Sequence, residues 1–144
     1  MARAVLDQLN VVVDDMEAAV DFYGRLGLEI PTTLPAWQPH HRETGATEGL
    51  LLEFDSAEFA TRWNAGWPTE QTGVVLGFRV ASRSEVDALY AELTGAGYRG
   101  QQEPYDAFWG ARYAIVEDPG GNAVGLMSPA DPAHRSAPPE PPGG

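Results

Sequence analysis

The chain has 144 residues, with nine Arg and no Lys against 21 Asp plus Glu, no Cys, and a formal net charge of −12. That acidity excludes nucleic acid and anionic membrane surfaces as partners, because both demand a cationic face; the missing Cys excludes disulfides, thiolate zinc sites and a cysteine nucleophile. With no apolar run of about 18 residues to span a bilayer and no apolar secretion signal behind Met1, the chain reads as a soluble cytoplasmic protein whose partner is a small molecule or another protein.

Apolar alternation predicts a strand over Val5 to Val13. A helix should follow from Asp14 to Leu26. Met16, Ala19, Val20, Tyr23 and Leu26 share one face of it, Asp14 or Asp15 can cap it, and Gly27 can end it. Residues 31–49 are polar with three prolines and predict a loop or an irregular strand. A strand near Leu50 to Phe54 precedes a short helix over Ser56 to Gly66, capped by Ser56, with Phe59 and Trp63 one turn apart. A second strand–helix pair follows. Val74 to Val80 is the strand, and Ser82 to Leu93 is the helix, with Ser82 and Glu85 at capping-box spacing and a stripe of Val86, Leu89, Tyr90 and Leu93. Arg112 to Glu117 and Ala123 to Met127 read as strands around Asp118-Pro119-Gly120-Gly121, where Pro fixes φ and Gly accepts a positive one. Residues 129–144 hold six of the twelve prolines and no apolar periodicity, which predicts a disordered Pro-rich tail; a proline-rich ligand for a partner domain is the alternative.

The two strand–helix pairs look like a duplication. A shift of 67 residues sets Val13 on Val80, Phe22 on Leu89, Tyr23 on Tyr90 and Leu26 on Leu93. The segments LNVVVDDMEAAVDFYGRLGLEI (9–30), GFRVASRSEVDALYAELTGAG (77–97) and FWGARYAIVEDPGGNAVGLMSP (108–129) resemble the vicinal oxygen chelate superfamily, which holds glyoxalase I, extradiol dioxygenases and bleomycin-resistance proteins. The resemblance implies an α+β fold. Two βαβββ modules, about 5–55 and 73–128, would form a curled mixed sheet around a cavity, with helices outside, as a single domain over residues 1–128.

Enzymes of the superfamily hold a divalent metal on four strand positions. By the resemblance these fall at Gln8, Glu53, Val75 and Gly125. Gln and Glu can ligate, but Val and Gly cannot, and two ligands fall short of the three plus water of a catalytic site. His40 and His41 lie in the loop region, and as neighbours they would point opposite ways. No metal and no other cofactor is therefore expected.

Strand alternation sorts the remaining residues. Gln8, Asn10 and Val12 should face the cavity, with Leu9, Val11 and Val13 under the helices. Glu53, Val75, Gly77, Arg79, Ala123, Gly125 and Met127 should also face inward, with Ala114 as a further small floor residue. Gly77, Ala123 and Gly125 leave volume for a large flat ligand, or are simple strand glycines at bulges and close contacts. Trp37, Phe108 and Trp109 fall at element ends and suit a pocket wall, while Trp63 suits a local cluster. Glu53, an inward carboxyl, needs a partner or a raised pKa; Arg79 is one possible partner.

These features point first to a binding protein without chemistry. It would resemble the bleomycin-resistance branch, sequestering an antibiotic or related aromatic natural product as a homodimer. Stacking would come from Trp37 and Trp109, hydrogen bonds from Gln8, Asn10, His40 and His41, and charge from Glu53, with Phe108 among the binding residues, against a large flat or cationic ligand. The alternatives are a metal-dependent lyase or dioxygenase, and a metal-free isomerase with Glu53 as base.

Overall fold

The computed structural model describes residues 3–25, 28–44, 50–68, 71–117, 119 and 121–143. Leu26, Gly27, Gly49, Asp118 and Gly120, which the sequence reading uses as helix, loop or turn markers, lie outside the described residues.

Among the described residues the order is β1 (Val5–Val13), α1 (Met16–Arg25), β2 (His41–Glu43), β3 (Leu51–Ser56), α2 (Ala57–Trp63), β4 (Gly73–Arg79), α3 (Arg83–Gly95), β5 (Gly100–Asp106), β6 (Arg112–Glu117) and β7 (Ala123–Met127). The strands form one mixed sheet in the order β2-β3-β1-β4-β7-β6-β5. The duplication is visible in the pairing. β1 runs parallel to β3 as β4 does to β7, and β2 is antiparallel to β3 as β6 is to β7. The halves join through antiparallel β1 and β4 within one chain.

The halves are not equal. The second is βαβββ, whereas α1 is followed by only two described strands. The counterpart of β5 is a turn-rich segment in which Trp37 N–H donates to Leu34 O at 2.8 Å and His41 N–H to Trp37 O at 2.9 Å. Pro31, Pro35 and Pro39 lack the donors that a ladder needs.

One face of the sheet carries α1 and α3. α3 buries Val86 and Leu89 against Val80, Ala114 and Leu126. α1 sits more loosely: Met16 is its one buried residue among those described, and Tyr23 meets Phe54 with ring centroids 5.0 Å apart. Phe22 is 57% exposed, while its repeat mate Leu89 is 9% exposed. α2 departs from the expectation that the helices lie outside. Ser56 caps it, accepting from Phe59 N–H at 3.0 Å. Phe59, Ala60 and Trp63 then pack on the opposite face with Val12, Val75, Ile115 and Ala123. Ala57 and Ala60 add small buried apolar surface to the same helix, while Glu58 and Arg62 stay exposed.

Where composition predicts a disordered tail, the chain doubles back. Pro132–His134 form a 3₁₀ turn capped by Asp131, Ser136 N–H donates to Phe108 O at 3.1 Å, and Pro142 is buried. Proline stiffness and backbone hydrogen bonds supply order here that apolar periodicity did not signal.

Candidate functional site

The face that carries α2 borders a cavity of about 410 Å³. Of the residues expected there, Gln8, Asn10, Trp37, His41, Glu53, Phe108 and Trp109 line it. His40, Val75, Gly77 and Gly125 are not among its walls. The His40 ring shares a 2.9 Å hydrogen bond with the Ser56 hydroxyl, so it supports the start of α2. Val75 is 2% exposed and lies in the core beneath α2.

One pole of the cavity is acidic. Register sets His41 opposite Asp55 and Glu43 opposite Glu53 across β2 and β3, with Asn10 beside Glu53 on β1. Alternation then turns all five side chains to the same side. Glu53 accepts from the amides of Gln8 at 3.0 Å and Asn10 at 3.4 Å, and Asn10 also donates to Asp55 at 3.0 Å. His41 Nδ1 lies 2.5 Å from Asp55 Oδ1, and Glu43 lies 3.8 Å from His41 Nε2.

Burial, reinforced by the charge of Asp55 and by the charge and hydrogen bond of Glu43, raises the Glu53 pKa to about 8 against the opposing pull of His41. At His41 burial disfavours the imidazolium. The hydrogen bond and charge of Asp55 outweigh it, with Glu53 and Glu43 adding to them, and push the pKa to about 9. Near neutral pH the pole therefore holds a protonated Glu53 beside a His41–Asp55 ion pair.

Arg79 does not neutralise Glu53. It lies 3.2 Å from Asp7 and is exposed, at the outer end of β4.

The other pole is aromatic. Trp109 meets Phe108 at 5.2 Å and Tyr113 at 5.6 Å between ring centroids, and its indole N–H points to the Met127 sulfur at 3.2 Å. Trp37 packs on Phe59 at 5.0 Å, carrying the aromatic wall toward His41, whose ring is 6.1 Å from Phe59. Trp63 is more than a local cluster residue: it is 5% exposed, lines the cavity, and its Nε1 has no hydrogen-bond partner among the described residues. Asn10 Oδ1 is likewise buried without a partner among the described residues.

Two expectations about the cavity floor need correction. Ala114 faces α3, not the cavity. β6 is apolar on both faces, so its parity follows only from its register with β7, where Ile115 sits opposite Gly125 and Tyr113 opposite Met127. The volume expected over Gly77 and Gly125 is also filled. A Cβ at Gly77 would stand 2.9 Å from Gln8 Cβ, and one at Gly125 would stand 2.9 Å from the Tyr113 hydroxyl. These glycines admit neighbouring side chains rather than a ligand.

Sequence reasoning also missed Thr33, Glu43, Asp55, Phe59, Tyr113 and Pro138 as cavity walls, whereas Met127 lines the cavity from the inward position that alternation gives it. Asp55 was within reach: extending the β3 alternation by one residue turns it inward beside Glu53.

The four positions that the resemblance assigns to metal ligands do not suit a metal. Gln8 and Glu53 are hydrogen-bonded to each other, and Val75 and Gly125 offer no donor atoms. The Tyr113 ring covers Gly125. Among the described residues no group of three or more His, Asp or Glu side chains is placed to hold a metal ion.

A family model described as Glyoxalase/Bleomycin resistance protein/Dioxygenase superfamily matches residues 5–126. No curated protein matches the sequence. Among solved structures, the fold is similar to an NAD-dependent benzaldehyde dehydrogenase from Legionella pneumophila, at 17% identity and a TM-score of 0.62 over 84% of this chain and 96% of that one. It is also similar to the Mn(II)-bound glyoxalase from Novosphingobium aromaticivorans, at 21% identity and a TM-score of 0.61 over 89% of this chain and 40% of that one, so this chain spans less than half of that enzyme. A methylmalonyl-CoA epimerase from Streptomyces coelicolor, solved with 2-nitronate-propionyl-CoA, shares 22% identity at a TM-score of 0.56 over 90% of this chain and 96% of that one. At these identities the likeness concerns the fold.

Proposed function

The chain belongs to the glyoxalase/bleomycin resistance protein/dioxygenase superfamily, and we propose that it is a metal-independent binding protein that sequesters an antibiotic or related aromatic natural product bearing a cationic group. The observation that carries this reading is the bipolar cavity, with Glu43, Glu53 and Asp55 at one end and Trp63, Phe108, Trp109 and Tyr113 at the other. An aromatic body gains from stacking and desolvation on the second set. A cationic or donor-rich group gains from the first, where His41 is the one basic side chain among the described residues that line the cavity and is already paired with Asp55. The homodimer and the cytoplasmic location belong to the same proposal; sedimentation of the purified chain checks the first.

Titration of intrinsic tryptophan fluorescence with 9-aminoacridine, a flat aromatic cation, tests the binding reading. Quenching should saturate, survive EDTA, and be weaker with acridine-9-carboxylate. Trp109→Ala should weaken binding by about tenfold, the scale of a lost aromatic contact. No quenching by either dye would leave the reading without support.

One observation favours a second reading. A carboxyl held protonated to about pH 8 beside an imidazole–carboxylate pair is suited to moving protons. A metal-free isomerase or epimerase would use Glu53 as its base once deprotonated. Glu53→Gln would abolish turnover in such an enzyme, yet only weaken affinity in a binding protein.

A further inference from the structure

Resting on the reading of the cavity as a small-molecule site, we infer that the C-terminal segment is its outer wall at the aromatic end and the gate through which ligand passes. Residues 131–138 run along the turn that presents Phe108 and Trp109. Asp131 N–H donates to Gly110 O at 3.1 Å, Ser136 N–H donates to Phe108 O at 3.1 Å, and Arg135 Nε donates to Trp109 O at 3.4 Å. Pro138 then joins Phe108 and Trp109 in the cavity wall.

The turn is shaped for this contact. Gly110 is buried at φ +96°, and a Cβ there would stand 2.5 Å from Asp131 O. Only a residue without a side chain allows the segment to lie this close. Arg83 reinforces the turn from α3 by donating to Gly110 O at 3.0 Å.

The attachment is strong enough to order the segment and weak enough to release it. Residues 129–138 are exposed and are tied to the Phe108–Gly110 turn by polar contacts, while the apolar anchoring of the C-terminal segment lies past them, at the buried Pro142. Segments held this way open locally without global unfolding. When this one opens, the ligand site loses a wall beside Trp109 while the acid pole and the core beneath α2 stay intact. Ligand exchange is then limited by release of the segment.

Stopped-flow fluorescence of 9-aminoacridine on the full-length chain tests the gate. Ser136→Pro deletes the N–H bonded to Phe108, and Arg135 is already extended at φ −70°, ψ 142°, as a residue before proline must be. Loss of this one hydrogen bond should speed dissociation about fivefold, with thermal unfolding unchanged. Pro138→Gly keeps every anchor but removes the wall, and it should also accelerate dissociation. Dissociation at the wild-type rate in both variants would overturn the gate while leaving the cavity reading standing. A wild-type chain that binds neither dye would overturn both.

Discussion

At the residue scale, the chemistry concentrates on Glu53 and His41. Both titrate above their ordinary values: Glu53 at about 8 against 4.5, and His41 at about 9 against 6.5. The folded state therefore binds more protons than the unfolded state between those limits. Stability from these two groups is fully present below their unfolded values and is lost as pH rises through about 8 and 9. Denaturant unfolding at a series of pH values should show stability declining across this window, and Glu53→Gln should flatten the decline. Binding should respond with the opposite sign. A cation prefers an ionised Glu53, so 9-aminoacridine affinity should climb as pH approaches 8, with a proton released on binding. A pH-independent affinity in the wild-type chain would show that Glu53 is not in contact with the charge of the ligand.

Residue identity alone reached only part of this chemistry. Glu53 stood out as an inward carboxyl, but the neighbours that set its pKa arrive from β2 and from the last residues of β3. The pairing of Glu43 with Glu53 and of His41 with Asp55 is a matter of register. A three-residue strand between prolines and a polar stretch leaves too little pattern to fix register in advance. Tyr113 was missed for a related reason: both faces of β6 are apolar, so alternation does not choose between Tyr113 and Ala114.

At the element scale, α2 is the piece whose removal would change the site most. It brings Phe59 and Trp63 into the cavity, and Ser56 links it to His40 through a shared hydroxyl. Ser56→Ala removes the N-cap and should destabilise the fold by about 1 kcal/mol. It should also weaken dye binding, because Phe59 and Trp63 lose their fixed positions. A chemical-denaturation midpoint equal to that of wild type would show that the cap contributes nothing.

The long, periodic elements were legible beforehand. β1, β6 and β7 span the expected residues, and the capping serines begin both α2 and α3. β5 was not foreseen, since Gly100–Asp106 alternates poorly and contains Pro104. It is an edge strand, where a proline is tolerated because its missing donor can face away from the ladder.

At the scale of the whole molecule, the charge of −12 acts at a distance. The tail contains only Asp131, Arg135 and Glu140 as charged residues, so nearly all of that charge belongs to the body around the cavity. A cationic dye should therefore associate faster at low ionic strength, and raising salt from about 0.01 to 0.15 M should slow association more than it changes dissociation. An association rate insensitive to salt would confine the acidity to solvation of the surface.

Local pattern carries the duplicated α+β plan, the β1 and β4 alternation, the helix caps, and the lack of ligating side-chain atoms at Val75 and Gly125. Each follows from local periodicity or from the chemistry of one side chain. The place of α2, the filling of the space over the two strand glycines by Gln8 and Tyr113, and the position of Pro138 in the cavity wall beside Trp109 emerge only once the chain is folded. Those outcomes depend on register and on contacts between segments remote in sequence. A one-residue slip reverses every side chain in a strand, and a polar segment reveals no partner until the surface it lies on exists.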